Sequence, residues 1–247
     1  MEGLEQEHSI NTEENMSTAD RNSESSRLVT SNASTKPSYL NLCSNACSVI
    51  FLCIISYCSF HKGVTLFSFH PILMSLGWVI IMTSAINAIT PGDFATEWMP
   101  IRLRSARHWL LQVVGFIFIT AGFFVILINK IINGKDHFTS LHAKFGLSSL
   151  ILMLVTMMGG LGALYSLKLK NYLAPIYTKL LHASIGLLTF VLGVITILLG
   201  LFTRWWSFGD PIRYTNFTLV LAIMLLTILR PSLKIYFRLK ERIENTN

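Results

Sequence analysis

Polar and apolar positions divide the chain sharply. Residues 1 to about 38 are rich in Ser, Thr, Asn and Glu and hold no apolar run. From there on, apolar blocks alternate with short polar connections, at about 40–60, 68–90, 107–130, 141–165, 179–202 and 214–236. About 20 apolar residues in helical form cross a hydrocarbon layer of about 30 Å. The pattern therefore predicts six transmembrane helices, and the short connections make consecutive helices antiparallel neighbours in a bundle. The polar tail cannot bury enough apolar area to offset its ordering entropy and is expected to be disordered. It lacks the apolar stretch of a cleaved signal peptide. The expected organisation is a tail over 1–38, a membrane domain over 39–240 and a C-terminal tail over 241–247.

Composition agrees. Of the 247 residues, 52% are hydrophobic and 13% charged, with a mean hydropathy of +0.54. Soluble domains carry about 25% charged residues. One soluble core of this size could not hide that much apolar surface, which excludes an ordinary cytosolic enzyme. The net charge of +7 suits loops meeting anionic lipid headgroups, and no nucleic-acid-binding motif is present. On one side fall Arg21, Arg27, Lys36, Arg102, Arg104, Arg107, Lys168, Lys170, Lys179, Lys234, Arg238, Lys240 and Arg242. The other side holds Lys62, Lys130, Lys135, Arg204 and Arg213. The positive-inside rule then places both termini in the cytoplasm, where the sequons at Asn15 and Asn32 stay unmodified. Cys43, Cys47, Cys53 and Cys58 match no zinc spacing and read as packing residues.

Four histidines carry the chemistry. His70, His108, His142 and His182 each stand near the start of a different span, the second to the fifth. Ionisable groups at membrane depth are costly and functional by default. Consecutive spans reverse direction, so His70 and His142 share the extracytoplasmic half while His108 and His182 share the cytoplasmic half. Two imidazoles facing each other between helices are what a bis-histidine haem requires. Imidazole also suits Zn or Cu, but no cysteine or carboxylate lies near to complete a tetrahedral shell. The expected fold is an all-α membrane protein of six transmembrane helices, whose central four-helix bundle (spans 2–5) holds two bis-histidine haems. If each haem lies about one turn inside the hydrocarbon, the irons are roughly 20 Å apart.

Glycines extend the pattern. Gly146 and Gly186 follow His142 and His182 by four residues, and Gly77 and Gly115 follow His70 and His108 by seven. Each is on its histidine's helix face and is expected to leave room for a flat porphyrin. The run Met157-Met158-Gly159-Gly160-Leu161-Gly162 favours close helix packing. Pro71 suits a first helical position, which would set His70 at the helix mouth.

The segments Phe69-His70-Pro71, Arg107-His108-Trp109, His137-Phe138-Thr139-Ser140-Leu141-His142 and Leu181-His182-Ala183 resemble the cytochrome b561 family over about residues 40–240. The likeness is strongest to its domain-containing transmembrane reductase branch, the ascorbate ferrireductases. It implies six spans, two b-type haems per chain on the four histidines, and a haem-facing Trp109. It also implies ascorbate as cytoplasmic donor and monodehydroascorbate or a ferric chelate as acceptor. The chain departs from the secretory-vesicle branch at Ala143-Lys144, where that branch has Ser-Trp. It departs again at Thr90-Pro91-Gly92-Asp93, where that branch is basic and contains tyrosine.

An anionic donor needs cations near the cytoplasmic site. Arg107 and Lys179 are the expected cofactor-binding cations beside His108 and His182, with Arg102 and Arg104 nearby. Lys135, His137 and Lys144 are expected to serve the other face. No side chain is assigned a bond-making role. A homodimer is compatible with the sequence, and the plasma membrane, endoplasmic reticulum and vesicles all suit this architecture. Two rivals stand beside an ascorbate-dependent reductase. A histidine-relay proton channel or transporter would need a continuous chain rather than two pairs, and no intramembrane carboxylate is present. A haem reductase fed by another donor, flavin for example, would usually add a nucleotide-binding domain, and no G-x-G-x-x-G occurs.

Overall fold

The computed structural model describes residues 38–90 and 92–244. The expected disordered tail, with His8, both sequons and three of the counted basic residues, lies outside the described residues. Every regular element among those described is helical, and six helices are long and apolar enough to cross a bilayer. They are α1 (Tyr39–Phe60), α2 (Leu66–Ala88), α3 (Ile101–Ile132), α4 (Leu141–Leu164), α5 (Pro175–Gly200) and α6 (Asp210–Glu244).

Several helices outrun their apolar blocks. α3 starts at Ile101, α5 at Pro175, and α6 continues to Glu244. Their polar end turns are helical although hydropathy alone does not register them. Caps set the starts. Ser38, expected in the tail, accepts the Asn41 amide at 3.3 Å; Ser140 accepts that of Ala143 at 3.2 Å. Thr65 and Ser68 form a capping box, each satisfying an otherwise orphaned amide. That box starts α2 five residues before His70, so Pro71 lies inside the helix rather than at its first position.

α2 with α3, and α4 with α5, form two closely packed antiparallel hairpins, while α1 and α6 pack on each other and flank them. The hairpins touch each other only lightly. Their main meeting point is Trp78, in the π-helical stretch Leu76–Ile81 of α2, whose ring lies on Gly193 of α5. A side chain at Gly193 would overlap that ring, so glycine is required there. Phe51, Ile55, Met153, Phe190 and Val194 complete this central core. Among the cysteines, all of them free, Cys58 is buried, whereas Cys43 and Cys53 point outward.

The connection between α2 and α3 is tied down by its own polar groups. Asp93 accepts from Asn41 Nδ2 at 3.3 Å and from the Thr96 hydroxyl at 2.9 Å. Arg104 donates to Glu97 at 3.3 Å and to the Met99 carbonyl at 2.9 Å. Such satisfied groups fold a loop that would otherwise stay solvated.

Candidate functional site

The structure brings the four intramembrane histidines together two by two. His70 of α2 and His142 of α4 face each other with ring centres 6.1 Å apart and planes at 87°. His108 of α3 and His182 of α5 do the same at 6.3 Å and 81°. The pairs occupy opposite ends of the bundle. The His70 ring meets α3 at Gly122, fourteen positions beyond His108, or about 21 Å along the helix.

Three of the four rings are oriented by a hydrogen bond to the backbone of an antiparallel neighbour. His70 Nδ1 donates to the Gly122 carbonyl at 2.9 Å, His108 Nδ1 to Ala85 at 2.8 Å, and His142 Nδ1 to Thr196 at 2.9 Å. A carbonyl only accepts, so Nδ1 carries the proton in these three and Nε2 is left bare. His182 differs. Its Nδ1 is buried facing the backbone of Thr156 without reaching hydrogen-bond geometry.

At the His70–His142 end a cavity of about 1080 Å³ reaches from the loop residues Lys135 and His137 past both rings to Trp78. Lys130, Asn129, Asn133 and Arg204 also line it, while Lys144 stays exposed outside. Phe138 stands beside His137 in a left-handed conformation (φ 54°) and stacks on Phe123 at 6.5 Å. That stacking holds an otherwise strained residue in place and fixes the loop at the cavity mouth.

The cations expected at the other end are distributed unevenly. Arg107 is half-buried and donates to the Ala95 carbonyl at 3.4 Å, and Lys179 is exposed one turn before His182. Arg104 is withdrawn into the loop by Glu97. Trp109 is 50% exposed.

The glycines do not all keep space open as expected. Gly77 and Gly115 bring α2 and α3 into contact: a Cβ on Gly77 would overlap Ile119, and one on Gly115 would meet Ile81 at 3.3 Å. Gly146 and Gly186 face the methyls of Thr196 and Thr156. The glycines tightest against imidazoles are Gly160, beside His182, and Gly200, beside His142, with Gly159 at ordinary contact distance from His182. Sequence reasoning missed these contacts, because each glycine lies on the neighbouring helix.

The donor set fits haem b. Two metal–imidazole bonds of about 2 Å, with roughly 1 Å from each nitrogen to its ring centre, put the centres about 6 Å apart. Both pairs stand at that separation. Among the described residues no group of three or more His, Cys, Asp or Glu could hold a bare metal ion. Two imidazoles with no third protein ligand favour a macrocycle that brings its own four nitrogens.

Six apolar helices with imidazoles paired at both ends, and a cavity beside the His70–His142 pair, make the frame of a transmembrane carrier of flat metal macrocycles. The sequence profile of eukaryotic cytochrome b561 matches residues 69–207, and the chain belongs to that family. It is 32% identical to the transmembrane reductase CYB561D2 of Mus musculus over 159 residues, 64% of this chain and 69% of that protein. The Homo sapiens protein of that name is 31% identical over the same shares. The probable transmembrane reductase CYB561D1 of Mus musculus is 27% identical over 176 residues, 71% of this chain and 74% of that one. The chain is thus a multi-pass membrane oxidoreductase that moves electrons across the bilayer, and its family implies b-type haem.

Proposed function

We propose that this protein passes electrons from cytoplasmic ascorbate to monodehydroascorbate or a ferric chelate on the opposite face, through two b haems per chain. His70 and His142 hold one haem; His108 and His182 hold the other. The observation that carries this reading is the pair of imidazole couples at opposite ends of one bundle, each at the separation two axial ligands require. Bound haem supplies a reversible one-electron Fe(III)/Fe(II) couple. The chain's own part is to hold the imidazoles, orient three of them through backbone carbonyls, and fill the space between the ends with Trp78, Val194 and Met153. A separation of about 21 Å across that core does not suit a histidine proton relay.

The basic residues orient the bundle with both termini, and the His108–His182 end, in the cytoplasm. The polar tails 1–38 and 241–247 then flank the membrane domain 39–240 on that side. Arg107 and Lys179 stand near that pair as the cations for haem and for anionic ascorbate. At the other end the cavity, with Lys130, Lys135, His137 and Arg204, receives the anionic acceptor. In this reading the bilayer is the one obligate partner.

The test is spectral. Purified protein should carry haem b that ascorbate reduces, and ferric citrate outside ascorbate-loaded proteoliposomes should reoxidise it. Reduction by dithionite but not ascorbate would assign another donor. A haem-free preparation that still moves electrons would overturn the reading.

A further inference from the structure

α4 and α5 carry the same four residue types at the same spacing. In α4 these are His142, Gly146, Thr156 and Gly160; in α5 they are His182, Gly186, Thr196 and Gly200, each 40 positions later. Because the helices are antiparallel, the second half of each motif meets the first half of the other. The Thr196 carbonyl accepts His142 Nδ1 at 2.9 Å, and the Thr196 methyl lies 3.3 Å from where a Gly146 Cβ would stand. A Cβ on Gly200 would come within 3.2 Å of His142 Cε1 and 3.4 Å of its Nδ1. At the far end the Thr156 methyl meets Gly186 at 3.4 Å, and a Cβ on Gly160 would approach His182 Cε1 to 3.2 Å. An approximate two-fold relates the two arrangements.

α2 and α3 keep the same register with different residues. Gly122 lies fourteen positions after His108, as Thr196 lies fourteen after His182, but Ala85 lies fifteen after His70. The π-helical stretch Leu76–Ile81 absorbs that surplus residue, since a π turn accommodates one extra residue within an α-helix. Both of its flanks therefore still present the right face to α3.

An imidazole turns about one bond, so two contacts define its plane. One is the carbonyl faced by Nδ1, which Thr196 offers to His142 within hydrogen-bond reach and Thr156 offers to His182 from just beyond it; the other is the bare backbone of the glycine one turn further on, against which the ring edge rests. We propose that Thr196 with Gly200, and Thr156 with Gly160, are positioning residues that set the imidazole planes of His142 and His182. The nearly perpendicular ring pairs, at 87° and 81°, are the product of that arrangement. This inference rests on the two pairs being haem ligands.

The test uses Gly200→Ala and Gly160→Ala, with Gly162→Ala as control, because a Cβ on Gly162 meets nothing within 4 Å. Haem content is measured, together with the largest g value of each ferric low-spin signal, which reports the angle between the two axial imidazole planes. Gly200→Ala should move only the signal of the His70–His142 site, and Gly160→Ala only that of the His108–His182 site. Gly162→Ala should move neither. Should Gly200→Ala not fold, Thr196→Ser removes only the methyl against Gly146 and should shift the same single signal by less. Haem-replete variants whose signals stay put, or move together, overturn the positioning role. A wild-type protein without haem would instead sink the reading beneath it.

Discussion

At the His70–His142 end both imidazoles donate to backbone carbonyls, and the rings border a cavity of about 1080 Å³ lined by Lys130, Lys135 and Arg204. At the His108–His182 end only His108 is bonded, His182 Nδ1 is buried without a partner, and the adjoining loop is closed on itself through Asp93, Glu97 and Arg104. The same helical frame is thus finished in two ways. The cavity beside His70 and His142 has the lining a flat macrocycle would meet, and Lys130, Lys135 and Arg204 on its walls suit the anionic acceptor of the proposed function. At the other end Arg107 and Lys179 stand near His108 and His182 in the sequence, as the cations an anionic donor would meet under the proposed function.

Removing a ligand should have the largest effect and should separate the ends. His142→Leu and His182→Leu should each cut ferric citrate reduction by ascorbate-loaded proteoliposomes by about 100-fold or more, since even partners of a metal ligand are worth about 10- to 100-fold. The first variant should still accept an electron from ascorbate, and the second should not. Charge comes next. Lys130→Gln with Arg204→Gln should raise KM for the ferric chelate about 5- to 10-fold and leave haem reduction by ascorbate unchanged. Lys179→Gln should slow only the ascorbate step, and added salt should mimic both.

Gly193→Ala strikes between the ends. Its Cβ enters the Trp78 ring, and overpacking of this kind costs about 1–3 kcal/mol. A thermal melt should fall while both haems weaken alike. The smallest effect belongs to Glu97→Gln, which removes the charge from a pair with side chains 11% and 20% exposed. Its cost should be about 1 kcal/mol, read as faster proteolysis of the loop between α2 and α3.

Much of this was legible in the chain itself. Hydrocarbon thickness fixes span length, and alternating direction fixes which histidines share an end, so six helices and two pairs follow from counting. What escaped depends on neighbours. Pro71 is interior because Thr65 caps α2 five residues before His70. Arg104 is lost to the site because Glu97 lies within reach. Gly160 and Gly200 are visible as an interval of 40 residues, but the interval has meaning only once α4 and α5 are known to run antiparallel in that register. The surplus residue at Leu76–Ile81 leaves no sign in hydropathy, since a π turn is as apolar as an α turn.

Haem content and spectrum of the wild type and of His70→Leu, His108→Leu, His142→Leu and His182→Leu form the most direct measurement. The account predicts two haems per wild-type chain and one in each variant. The haem left in His70→Leu should match that left in His142→Leu, and the haem left in His108→Leu should match that left in His182→Leu. A wild type with fewer than two haems, or variants that match in any other pairing, would contradict it.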